Sequence, residues 1–112
     1  MEQDNEQINR IKEMESCFDQ CSHAAEDLES AMDAFQNALP ALKKLSEYYA
    51  SPLWQQDYAD DEEGRIPREL KRGVLSQDGV YDLLSDTLRL CSQMKALKKD
   101  TEKAARSIIQ QP

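Results

Sequence analysis

Apolar side chains recur at steps of three and four along the first half of the chain: Ile11, Met14, Phe18, Cys21, Ala25, Leu28, Met32, Phe35, Leu39, Leu42 and, beyond the polar Ser46, Tyr49. Successive heptads of a and d positions predict one long helix over about 5–49, packed along a single stripe. Asp4 followed by Gln7 reads as a capping pair at its start. At about 1.5 Å per residue such a helix would reach on the order of 67 Å. Pro40 lacks a backbone donor and its ring presses on the carbonyl four residues back, so a kink or a break is expected near Gln36–Pro40.

The pattern then shortens. Ser51 and Pro52 form a start signal and Gly64 a stop, predicting a short helix over 52–63. Pro67 and Gly73 bracket a second short helix, 67–72, with Val74 and Leu75 folding back onto it. Ser76 caps a last long helix, about 77–110, whose seam is Val80, Leu83, Thr87, Leu90, Met94, Leu97, Thr101, Ala104 and Ile108. Leu84, Leu88 and Cys91 widen the stripe near its start, so that end should lie deeper than the Lys-rich end. The fold class is therefore all-α: a single helical domain over 1–112, built as a long antiparallel helical hairpin with short linker helices. Two helices bury little apolar surface, so either the short helices cap one end or a second copy completes a bundle; a homodimer is the preferred expectation.

Composition agrees with exposed helices, since apolar residues make up 39% and charged residues 32% of a chain holding only 3 Gly and 4 Pro. The net charge of −8 is unevenly spread: residues 1–35 carry −8, residues 36–64 carry −4 and residues 65–112 carry +4. An acidic first helix and a basic last helix attract each other, while the whole repels nucleic acid. There is no long apolar run and no basic, then apolar, opening, so neither secretion nor membrane insertion is expected. Cys17, Cys21 and Cys91 are an odd set, expected as reduced thiols in a cytoplasmic protein.

The segment Leu70, Lys71, Arg72, Gly73, Val74, Leu75, Ser76, with Asp78 and then Val80, Tyr81, Asp82, Leu83, Leu84, is similar to one found in a family of small bacterial proteins known as domain of unknown function 4298. That family resembles this chain further in a long N-terminal helix, a Tyr-Tyr pair and a following Trp, here Tyr48, Tyr49 and Trp54. The resemblance covers roughly Gln7 to Lys95. Pro40 departs from it by interrupting a helix that should run on, and the tail from Ala96 lies outside it. It implies a bacterial origin and a helical fold, and no activity.

Few constellations point to chemistry. Cys17 and Cys21 lie one helical turn apart, but His23 sits about 200° around from Cys21 and cannot complete a zinc site. Cys21 is better read as a small hydrophobe in the seam. The acidic run Asp57, Asp60, Asp61, Glu62, Glu63 before Gly64 resembles a calcium loop, yet the first ligand place falls on Ala59. These acids crowd a helix C-terminus, where the dipole disfavours them; Arg65, Arg68, Lys71 and Arg72 are the compensating candidates. Lys95, Lys98, Lys99, Lys103 and Arg106 form a basic face without aromatics, which suits a solvated face or an acidic partner helix better than nucleic acid.

Around the linker, Tyr48, Tyr49, Trp54, Tyr58 and Tyr81 gather with Asp57, Arg72 and Asp82. They read first as a small core stapling the short helices, and functionally as an interaction patch, since Trp, Tyr and Arg are enriched in binding hot spots. No catalytic residue, metal or cofactor is expected. The preferred reading is a non-enzymatic interaction protein with a protein partner. The alternatives are an acidic inhibitor or nucleic-acid mimic binding a basic protein, prompted by −12 over residues 1–64, and an enzyme using linker carboxylates with Arg72.

Overall fold

The computed structural model describes the backbone of residues 2–109 and the side chains of residues 4–106. The protein is all-α, with α1 at Glu2–Tyr49, α2 at Pro52–Glu62, a 3-10 turn at Gly73–Leu75 and α3 at Gly79–Ile109. No strand occurs among the described residues. Contacts divide the chain into two compact units, Met1–Leu42 and Lys43–Pro112.

The first unit is one helix. It begins at Glu2, so Asp4 lies inside the helix and is not its cap. Of the kink or break expected near Pro40, the break does not occur: α1 is helical through Pro40 to Tyr49, close to the 5–49 span expected. One missing donor is a local loss, and Ala31, Ala34, Ala38 and Ala41 on either side are the strongest of helix formers. A lone helix has nothing to bury a stripe against. Phe18 is 69% exposed and Met32 51%. Cys21, read as a packed seam residue, is exposed, as is Cys17.

The second unit holds the end of α1, α2, the 3-10 turn and α3. Ser51 starts α2 with Pro52 behind it, but its hydroxyl makes no cap bond to α2; it donates instead to the Tyr48 carbonyl at 2.7 Å, closing the end of α1. Gly64, at φ +76°, ends α2. The Gly64 N–H donates to the Asp61 carbonyl at 3.0 Å and the Arg65 N–H to the Asp60 carbonyl at 2.9 Å, the paired bonds of a Schellman stop. The short helix expected over 67–72 is absent. Residues 68–69 form a turn, closed by the Leu70 N–H on the Pro67 carbonyl, and the helical turn falls later, at Gly73–Leu75. The interval between Pro67 and Gly73 is too short for a helix to repay its costly first turn.

Ser76 has two tasks. Its hydroxyl donates to the Gly73 carbonyl at 2.9 Å and accepts the Gly79 N–H at 3.0 Å, joining the 3-10 turn to the start of α3 as the capping signal predicts. Among the described residues the buried apolar ones are Leu75 and Val80, on either side of that serine. Along α3, Leu84 is half-buried while Leu88 and Cys91 are exposed, so the expected deep end is limited to its first turn or so. Thr87 tolerates its seam position by donating its hydroxyl to the Leu83 carbonyl at 2.7 Å. The expected helix end at 110 lies outside the described residues, and the side chain of seam residue Ile108 outside those described.

Candidate functional site

The second unit gathers most of the linker residues singled out by sequence. Tyr48, near the end of α1, donates its hydroxyl to Asp57 Oδ2 of α2 at 2.6 Å. Burial first, then the hydrogen bond to Asp57 and its negative charge, push the Tyr48 phenol up to about 12. The tyrosine thus holds its proton and remains a donor.

Beside this bond lies an aromatic stack. The Tyr49 ring meets Trp54 edge-on with centroids 4.8 Å apart, and Trp54 stacks on Tyr58 at 5.2 Å, one helical turn along α2. The Trp54 indole N–H donates to the Val74 carbonyl at 2.8 Å, so one side chain ties α2 to the 3-10 turn. Two residues of α2 therefore fasten it in both directions, Asp57 to α1 and Trp54 to the 3-10 turn.

The acids near the end of α2 find their cations as expected, though not from all four candidates. Arg72 Nη1 lies 2.5 Å from Asp61 Oδ1, a pair 34% and 17% exposed. Arg65 reaches Glu63 at 2.8 Å and Asp60 at 3.4 Å. Among the described residues, neither Arg68 nor Lys71 forms an ion pair. In the sequence Asp61 is only one acid in a run; its pairing with Arg72 depends on the chain turning after Gly64. An open, shallow groove of about 500 Å³ runs beside this pair, lined by Tyr58, Asp61, Leu70, Arg72, Leu75 and Gln77. A second hollow of about 420 Å³, mainly apolar, lies between Leu45 of α1 and Val74, Val80 and Leu83.

Two residues of the expected patch stand apart. Tyr81 is 60% exposed, Asp82 is exposed, and neither side chain makes a hydrogen bond to the described residues. The first turns of α3 point Val80 inward, and its neighbours at 81 and 82 are consequently rotated away by the helical step. Tyr48, Tyr49, Trp54, Asp57 and Tyr58 form one connected cluster, and Arg72 joins it through Asp61 and the groove. Sequence reasoning missed the Val74 carbonyl and Leu45, because a backbone acceptor leaves no signature and Leu45 lies off the a and d stripe.

The Tyr48 phenol, the Trp54 indole and the Arg72 guanidinium hold partners, while the Tyr49 and Tyr58 hydroxyls make no hydrogen bond among the described residues; every buried polar side-chain atom among the described residues is paired. Among the described residues no group of three or more His, Cys, Asp or Glu side chains is placed to hold a metal ion. No described helix is long and apolar enough to cross a membrane. No curated protein and no solved structure matches the chain. The family model described as Domain of unknown function (DUF4298) matches residues 11–97, a span that takes in the α1 seam, the aromatic corner, the Arg72 pair and most of α3, and the chain belongs to that family.

Proposed function

We propose that the protein is a non-enzymatic interaction module of the cytoplasm, which docks a protein partner along the apolar stripes of its long helices. One observation carries this reading. The side chains that repeat every three and four residues keep about half or more of their surface in water: Met14 51%, Phe18 69%, Met32 51% on α1, and Leu83 49%, Met94 47%, Leu97 53% on α3. An apolar row of this extent is larger than an isolated soluble chain ordinarily leaves uncovered. The aromatic corner acts as the scaffold, since the Tyr48 phenol, the Trp54 indole and the Arg72 guanidinium already hold partners within it. Three free thiols suit a reducing compartment.

The acidic-mimic reading is weaker. The described acids of α1 stand exposed, but they flank rows of apolar side chains that a nucleic acid does not carry, and at the end of α2 Asp60, Asp61 and Glu63 are engaged by Arg65 and Arg72. The reading as an enzyme is weaker because Asp57 and Arg72 are occupied by Tyr48 and Asp61, and the Asp82 side chain pairs with neither among the described residues.

The test is affinity capture with the full chain from its native host, comparing Phe18→Asp with Met32→Asp against Tyr81→Ala. The module predicts that specific partners are retained by Tyr81→Ala and lost from both stripe variants, with helical content unchanged by circular dichroism. Partners that survive both stripe variants would overturn it.

A further inference from the structure

Given the reading above that the stripes are docking surfaces, we propose that the partner is a second copy of this chain, with α1 of one protomer lying antiparallel along α3 of the other. The argument is charge complementarity beside two uncovered stripes. On α1 five acids directly follow stripe positions, Glu15 after Met14, Asp19 after Phe18, Glu26 after Ala25, Glu29 after Leu28 and Asp33 after Met32, with Lys12 and Lys43 following only at the ends of the stripe. The same flank of α3 opens at Tyr81, is apolar at Leu84, Leu88 and Cys91, then basic at Lys95 after Met94 and Lys98 after Leu97, before Glu102 after Thr101. In an antiparallel pair, flanks of the same name face each other, and opposite charges there select the pairing. Lys95 has no ion pair among the described residues, and Lys98 shares Glu102 with Arg106.

Both halves of the contact reside on one chain. A two-fold axis therefore makes it twice, acidic α1 against basic α3 and the reverse, which is the geometry of a closed isologous dimer. The breadth of the stripes supports more than a two-stranded coil. Ala24, Ala31 and Ala38 extend the α1 stripe beyond a and d, while Leu84 and Cys91 extend that of α3, the broader apolar face used by helices in bundles. Like helices pairing with like would set acid against acid.

The experiment uses the full chain and two charge-reversed forms. One carries Lys95→Glu and Lys98→Glu, the other Glu15→Lys, Glu26→Lys and Glu29→Lys. Light scattering of the natural chain should give twice the 12.8 kDa of one chain, shifting toward the monomer on dilution and on adding salt. Each reversed form alone should dimerise at least about tenfold more weakly, and their equimolar mixture should recover the dimer mass, a rescue that contacts within one chain cannot give. A monomer at high concentration and low salt overturns the proposal, and so does a dimer strengthened by salt or indifferent to the lysine reversals. If the chain is a monomer yet Phe18→Asp still loses a different captured protein, the docking reading survives and only its self-pairing is overturned.

Discussion

At Tyr48 one proton links local geometry to stability. An unfolded tyrosine loses its proton near pH 10, whereas the folded Tyr48 phenol is raised to about 12 by burial, the bond to Asp57 and the Asp57 charge. Between those values the folded chain binds more protons than the unfolded one, so stability falls as pH climbs through that window and is fully present below it. Urea midpoints measured on either side of about pH 10 should show this decline, and Tyr48→Phe should flatten it while costing about 1 kcal/mol at neutral pH. An equally steep decline in the Phe variant would remove Tyr48 as its source. Gly79 gives a second test at this scale. Alanine normally favours a helix over glycine by about 1 kcal/mol. A Cβ at Gly79, however, would lie 2.9 Å from the Gly73 carbonyl and also press on the Ser76 hydroxyl that caps α3. Gly79→Ala should therefore destabilise the chain by about 1–3 kcal/mol, the reverse of the propensity sign. A thermal melt showing stabilisation would mean that the Ser76 cap is not as described.

Among elements, the segment between α2 and α3 has only the 3-10 turn at Gly73–Leu75 and is held by Arg72 on Asp61 and by the Trp54 indole on the Val74 carbonyl. The Arg72 pair is partly screened by solvent, so Arg72→Ala should cost about 1 kcal/mol, between an exposed pair and a buried one. Trp54 is the chain's single tryptophan, so its fluorescence reports this corner alone. The emission of Arg72→Ala should shift toward that of exposed indole before the far-ultraviolet helix signal is lost; simultaneous loss would mean the pair does not hold the corner separately. The long helices were legible because their period of three and four extends over many turns, and so were the Gly64 stop and the Ser76 cap, whose chemistry is local. The short helix expected over 67–72 was not, since proline and glycine mark the edges of a turn as readily as those of a helix. Asp82 and Tyr81 were misplaced for a related reason: nearness to the linker in sequence says nothing of which way a helix turns its side chains, and Val80 takes the inward direction. The ties that make the corner one cluster end on a backbone carbonyl and on one acid among several, and neither is distinguishable before the fold is known.

For the molecule as a whole, the apolar stripes set an expectation that depends on concentration. The residues buried within the described chain, Leu75 and Val80, are a small core for 112 residues. Below about 40–60 residues per core, domains commonly need oligomerisation or another staple, and a chain that keeps Phe18, Leu88 and Leu97 in water has the same need. If self-association supplies the missing burial, unfolding is coupled to dissociation, and the thermal midpoint must rise with protein concentration by mass action. Melts of the natural chain over a hundredfold range of concentration should show a steadily climbing midpoint at low salt and a smaller climb at high salt. Phe18→Asp, which sets a carboxylate in the middle of the stripe, should melt lower and at a midpoint independent of concentration. A natural chain whose midpoint stays constant across the range would place its stability within a single protomer, and the exposed stripes would then have to be explained by a partner of different sequence.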